Sequence, residues 1–516
     1  MKERDGLGGQ ARRGSHAAEP AIHVICLGSG GGPSEDNVTG FLVRATSSRW
    51  SRGSVLAVDA GTHLSAITRI LERDFPLVAD SPRPESHSNE SPQVTITTLQ
   101  SGPFAGLPFP NASARANAVH VVREHVSTYL ITHPHLDHLS GFVINTAAFH
   151  NTSRPKRLAA LPFTVNAIKA HLFNDLIWPN LSDEDGGVGF VTFQRLAEGG
   201  NIALGEGHGR GYIEVCEGLS VKGFKVSHGN CMRASSCMHR GSNPNIQEHM
   251  QHSVSLAHSH SQPGSLSAPG QGASGAGPRE GRVPCVIDST AYFIRAEGTS
   301  SSTSSASSTH GHHSHAREIL IFGDVEPDAV SLSPRTAHVW AEAAPKIAAG
   351  ILRGLFIECS YTDAQADAVL FGHLAPRHLV HELAALADLV ADERRRLAAE
   401  RGRKRKRAST GAASMPDAPT PSPGPPGANR TWPTMAAAQE TTAQTNKLPP
   451  PREPLPPPLA GLRVVIIHVK DTLADGRPVG ETILAELEAY KEQLEREGRA
   501  LGCDFVVSKS GEGYWF

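Results

Sequence analysis

The chain has 516 residues, with 49 lysines and arginines against 51 acidic residues and a formal net charge of -2. That balance gives no global field to draw it to nucleic acid or to an anionic membrane surface. Seven cysteines without a CxxC pair exclude a disulfide framework and a zinc ribbon, while the lack of an apolar signal core or a span-length run leads us to expect a soluble, cytoplasmic protein.

Five stretches are rich in Ser, Gly, Pro, Ala, His or Arg and poor in periodic apolar residues: 1–20, and about 78–93, 233–283, 298–316 and 400–458. Such composition buries too little apolar surface to offset chain entropy, so disorder is expected there. Roughly 370 residues remain, enough for one large domain. We read 21–516 as that single domain, interrupted by insertions.

The first element in chain order is "AIHVICLG" (21–28), apolar and β-branched, hence a buried strand. A glycine-rich loop, "SGGGPSEDNVTG", leads to a second strand, "FLVRA". Its spacing is not GxGxxG and it contains Pro33, which argues for a tight turn near a site over a dinucleotide fingerprint. "SVLAVDAG" repeats the strand-then-turn plan, with Asp59 at its end. "THLSAITRILERDF" predicts a helix with Thr62 as its cap.

The strand "VSTYLIT" (126–132) delivers "HPHLDHLSG", and a helix starts there. "RLAALPF" predicts a strand and "TVNAIKAHLFNDLIWPNL" a helix. Further strands are "IEVCEGLSVKGFKVSHG", "CVIDSTAYFIR", "EILIFGD", "GLFIECSY", "GLRVVIIHVKD" and "CDFVVS". Helices are expected in "PRHLVHELAALADLVADERRRLAAERGR" and "GETILAELEAYKEQLERE". Early hairpins with interleaved helices, without strict βα alternation, predict stacked sheets with helices outside, an α/β (α+β) sandwich.

His133 and His135 are two apart, so at the end of an extended strand both aim to one side and reach one ion. Asp137 and His138 follow as the chain turns into a helix and face a second ion. Imidazole and carboxylate together suit zinc, manganese or iron, and a pair of ions suits displacement at phosphorus.

"HPHLDHLSG" resembles the HxHxDH signature of the metallo-β-lactamase superfamily. With Leu136 and Gly141 in place it is similar to the class II cyclic-nucleotide phosphodiesterases. The likeness runs from "HVICLGSGGGP" to "VVIIHVKD" and breaks at the insertions. It implies a metallo-β-lactamase-like αββα sandwich that hydrolyses 3′,5′-cyclic AMP, and cyclic GMP as a second substrate, with two divalent ions, zinc foremost. It further implies His228 as third ligand of the first ion beside His133 and His135, and Asp324 as the carboxylate between the ions. His468 then completes the second site with Asp137 and His138. Asp137 and Asp324 are the expected catalytic carboxylates, and His373 in "FGHLAPRH" the group that protonates the leaving oxygen or contacts the phosphate. Asp59 is expected to orient the histidines, and Glu358, Asn37 and Thr39 to lie near the substrate.

Two other readings share the motif: a tRNA 3′-end endonuclease, and a scaffold that keeps the fold without activity. The absence of net basic charge argues against the first, and the complete ligand set against the second. A small-molecule substrate, no nucleic acid and no membrane are expected, with a homodimer left open. "RGRKRKR" (401–407) reads as a nuclear address or as the solvated end of the preceding helix. The histidine-rich "THGHHSH" lacks strands to fix a metal geometry.

Overall fold

A computed structural model describes residues 20–75, 96–234, 282–297, 316–411 and 456–516. The stretches read above as an N-terminal tail and insertions lie wholly or mostly outside these described residues.

The first half supplies β1 (Ile22–Gly28), β2 (Gly40–Ala45), β3 (Val55–Ala60), the short hairpin β4 (Thr97–Thr98) and β5 (Pro108–Phe109), β6 (Val126–Leu130), β7 (Lys156–Ala160) and β8 (Val191–Arg195). The second half supplies β9 (Ile213–Cys216), β10 (Leu219–Ala234), β11 (Arg282–Ala296), β12 (Arg317–Phe322), β13 (Leu352–Glu358), β14 (Arg463–Ile467), β15 (Asp504–Val507) and β16 (Gly513–Trp515). These build two seven-stranded sheets, in the orders β16-β1-β2-β3-β6-β7-β8 and β15-β14-β13-β12-β11-β10-β9. Each sheet is mixed. β3, β6, β7 and β8 run parallel in the first, and β12, β13, β14 and β15 in the second.

Strand alternation explains why the sheets stack. Ile22, Val24 and Cys26 of β1 face the second sheet, packing in one core with Tyr292, Ile294, Ile319, Ile321 and Phe356. Ile25 and Leu27 face the other way, into a core shared with the outer helices. A third core lies between the second sheet and its own helices. Strands buried on both faces are mostly apolar, and these are, with His23 of β1, Arg44 of β2 and Asp59 of β3 as buried exceptions. The result is the four-layer αββα sandwich expected from the sequence.

The helices are α1 (Leu64–Leu71), α2 (Ala114–His120), α3 (Leu136–Asn145), α4 (Pro162–His171), α5 (Thr336–Ala348), α6 (Pro376–Gly411) and α7 (Val479–Arg496). Several depart from the sequence reading. Thr62 does not cap α1: its hydroxyl donates to the Glu35 carbonyl, and the Leu64 N–H is met by the Asn145 side chain from α3. α4 ends at His171, so "LFNDLIWPNL" is turn, bonded through Asn174 and Asp175. α6 runs past 400 to Gly411, so the basic "RGRKRKR" continues a helix. Helices α2 and α5 and strand β16, which pairs with β1, were not anticipated.

Candidate metal centre

The ends of β3, β6, β12, β13 and β14 meet at one edge of the sandwich, as expected for a site built beyond parallel strand termini. β6 stops at Leu130, so His133 and His135 lie in the turn after it and not in the pleat assumed above. Their rings nevertheless approach to 4.5 Å between centroids. Asp137 and His138 occupy the first turn of α3. His228 sits in a bulge of β10, where the pairing with β11 shifts register between Ser227 and Asn230. A bulge there re-aims one side chain, and it aims His228 at His133 and His135, with ring centroids 5.2 Å from each. Asp324 follows β12 and His468 follows β14.

The structure brings seven of the predicted residues into two overlapping groups. Ligand atoms of His133, His135, His228 and Asp324 lie within 4.8 Å of one another, as do those of Asp137, His138, Asp324 and His468. A third group, His228, Asp324, Glu358 and His373, meets the same criterion. Asp324 belongs to all three and is nearly buried.

Tautomers are set from outside the cluster. Asp59 accepts hydrogen bonds from the Thr132 N–H and hydroxyl, both at 2.8 Å, and from His138 Nδ1 at 2.7 Å. With its hydroxyl proton committed to Asp59, Thr132 is left to accept from His133 Nδ1 at 3.1 Å. Thr39 meets His468 Nδ1 at 2.9 Å, and the Gly372 carbonyl accepts from His228 Nδ1 at 2.9 Å. Each Nδ1 is therefore engaged, which leaves an Nε2 lone pair turned inward. Nε2 of His133, His138 and His468 is buried with no hydrogen-bond partner. Orphaned buried acceptors are costly, so this arrangement fits a cation.

Electrostatics agree with that arrangement. Burial, reinforced by neighbouring histidines, holds His133 and His468 well below the ordinary imidazole value and His135 at about 4, so these rings are neutral. Burial works against the charge on Asp324, but His468, His138 and His133 outweigh it and hold its carboxyl well below the usual range. Burial also opposes protonation of His138, yet Asp324 and Asp59 raise it well above normal. His133, His135 and His468 as neutral rings and Asp324 as a carboxylate are in the states a divalent cation needs, whereas His138 has to release its proton to bind one.

Asp59 and His468 both adopt positive φ, +50° and +55°. Such backbone persists only where surrounding bonds hold it, and the Thr132 and Thr39 contacts supply them. The glycine loop closes over the same edge: a Cβ on Gly31 would lie 2.7 Å from the His468 ring.

Two of the predicted pocket residues hold neighbouring groups in place. Glu358 is fully buried behind His373, accepting from the Val325 and Leu374 N–H groups, from Ser360 and from His373 Nδ1. Asn37 holds the loop, accepting from the Ser29 N–H, and lines a surface cleft of about 390 Å³ with Asp36, Arg69 and Lys509 that includes no member of the cluster. Thr132, Ser360 and Gly372 were missed; hydroxyls and carbonyls carry no sequence signal of their own.

Buried histidines and carboxylates gathered at the strand ends of an αββα sandwich form a group suited to holding a metal ion. Residues 84–244 and 278–399, more than half of the chain, match the family model of class-II cAMP phosphodiesterases. The 3′,5′-cyclic-nucleotide phosphodiesterase of Schizosaccharomyces pombe is 27% identical over 372 residues, covering 72% of this chain and 77% of the relative. That of Candida albicans is 24% identical over 529 aligned positions, covering 95% and 99%. The crystal structure of unliganded yeast PDE1 shares the fold, with TM-score 0.56 at 21% identity over 96% of this chain and 100% of that one. The chain belongs to the class-II cAMP phosphodiesterases. That places it in the cyclic-nucleotide branch and not among tRNA 3′-end endonucleases.

Proposed function

We infer that the 3′,5′-cyclic-nucleotide phosphodiesterase activity of the family resides, in this chain, at the cluster centred on Asp324. The substrate is 3′,5′-cyclic AMP, with cyclic GMP as a second substrate, and the product is the 5′-monophosphate. The observation that carries the reading is the pair of four-residue groups sharing Asp324, with Nδ1 of His133, His138, His228 and His468 engaged outside and Nε2 of His133, His138 and His468 turned inward.

The donor set fits two divalent ions, zinc first among them. His133, His135, His228 and Asp324 would hold one, and Asp137, His138, His468 and Asp324 the other. When bound, such ions neutralise the phosphodiester and make water nucleophilic at neutral pH. Asp137, half-buried at the start of α3, orients the attacking water. Asp324 keeps the two halves of the site in register. His373, backed by Glu358, protonates the 3′ oxygen as it leaves. Asp59 and Thr39 fix the ligand tautomers, and Asn37 shapes the glycine loop. The catalytic unit is a single domain over 21–516, acting in the cytoplasm.

The test is hydrolysis of both cyclic nucleotides by purified protein, before and after chelation and metal re-addition. We expect activity to disappear with the metal and to return with it. In Asp324→Ala, metal analysis should find the site depleted and turnover abolished, with the circular dichroism spectrum unchanged. Full activity in that variant, or in the chelated enzyme, would sink the assignment.

A further inference from the structure

A cyclic nucleotide whose phosphate meets the His/Asp cluster has to place its base at the rim of the same cleft. A purine is a flat π-face and gains most from an aromatic partner. Phe371 is 71% exposed, an unusual state for so large an apolar ring, and its φ is +53°. A bulky residue avoids that region, and where one is held there the position more often serves a site than the fold.

The turn that carries Phe371 is fixed from several sides. Leu370 before it is buried. Gly372 after it accepts the His228 Nδ1 hydrogen bond and packs so closely on Gly229 that a Cβ on Gly372 would lie 2.8 Å from the Gly229 nitrogen. The His373 N–H returns to the Leu370 carbonyl at 3.1 Å. A solvent-facing phenyl group therefore stands on a rigid, strained turn, one residue from the carbonyl that orients His228 and two from His373. Next in the chain to His135, whose ring lies 5.2 Å from that of His228, Leu136 is 64% exposed. Two exposed apolar residues on separate elements thus flank members of the polar cluster in the chain, Phe371 two before His373 and Leu136 between His135 and Asp137. Nothing in the protein's own core uses either.

We propose that Phe371 is the nucleobase-binding residue, its ring stacking on the purine of the cyclic nucleotide, with Leu136 as the second apolar contact. The proposal rests on the cyclic-nucleotide reading of the site and adds its specificity determinant. Stacking is made equally in the ground and transition states, so its loss raises KM and leaves kcat little changed.

The experiment compares wild type, Phe371→Ala and Phe371→Trp on cyclic AMP and on methyl β-D-ribofuranoside 3′,5′-cyclic phosphate, which has the same ring phosphate and no base. In Phe371→Ala we expect KM for cyclic AMP to rise roughly tenfold or more, in the range seen when a base-stacking aromatic is removed. The preference in kcat/KM for cyclic AMP over the base-less substrate should fall by the same factor, and Phe371→Trp should restore it. An unchanged preference overturns the proposal, as does an equal loss on both substrates. So does a fall in sedimenting mass with KM unmoved, which would make Phe371 an interface residue. Wild type inactive on cyclic AMP would instead defeat the reading of the site itself.

Discussion

Glu358 has no exposed surface, and every contact it makes faces inward, to Val325, Ser360, Leu374 and His373. It touches nothing that enters the cleft; its effect passes through the His373 ring. Burial alone lowers the pKa of His373, but the Glu358 carboxylate outweighs it and raises the value above normal. Protonation of the ring is thereby favoured, with Nδ1 tied to Glu358 and Nε2 left to donate. We expect His373→Ala to lower kcat on cyclic AMP by roughly 10²–10⁴-fold, the usual contribution of a positioned acid. On a 4-nitrophenyl phosphodiester, whose leaving group departs without a proton, the loss should be much smaller. Equal losses on the two substrates would make His373 a phosphate ligand. At this scale the sequence was most legible where chemistry concentrates in a few positions, as in His133 to His138. It was least legible where a generic group does the orienting, as with Thr132 on Asp59 or the Gly372 carbonyl on His228.

Helix α3 carries Asp137 and His138, and it docks on β3 through two glycines. The Gly141 N–H donates to the Gly61 carbonyl at 2.9 Å, and a Cβ on Gly61 would lie 1.9 Å from the Asp137 carbonyl oxygen. Backbone meets backbone there, so no side-chain rearrangement relieves an added methyl. Gly61→Ala should cost about 1–3 kcal/mol, as overpacking does, and should push the α3 N-terminus away from Asp324. Urea unfolding checks the stability, and metal titration of the folded variant checks the site. Native stability with native metal affinity would show that the helix N-terminus is freer to move than this contact allows. The same region shows why elements differ in legibility. β1, β3, β6 and β14 are predominantly apolar and β-branched and read plainly. α5 contains Pro345 and a run of alanines that gives little helical contrast, and β16 is three residues completing the edge of the first sheet.

Taken whole, the site lies across the two sheets. His133, His135, Asp137 and His138 follow β6 of the first, whereas His228, Asp324 and His468 belong to the second. Between the sheets the contact is mainly apolar, with few polar links such as the Tyr292 hydroxyl to the Ile131 carbonyl at 3.0 Å. The buried Nε2 atoms of His133 and His138 from the first sheet and of His468 from the second converge on Asp324, at 3.7, 3.1 and 3.2 Å. Binding there should therefore join the sheets as well as equip the reaction. A ligand present at a hundred times its Kd stabilises the folded state by about 2.7 kcal/mol, enough to move Tm by several degrees in a domain of this size. Chelation should lower the Tm of the wild type by that order, and re-addition of zinc should restore it. Asp324→Ala, which lacks the residue common to both groups, should show a Tm that responds to neither treatment. A wild-type Tm indifferent to chelation, in protein whose activity the chelator abolishes, would mean that the cation is held from one sheet alone.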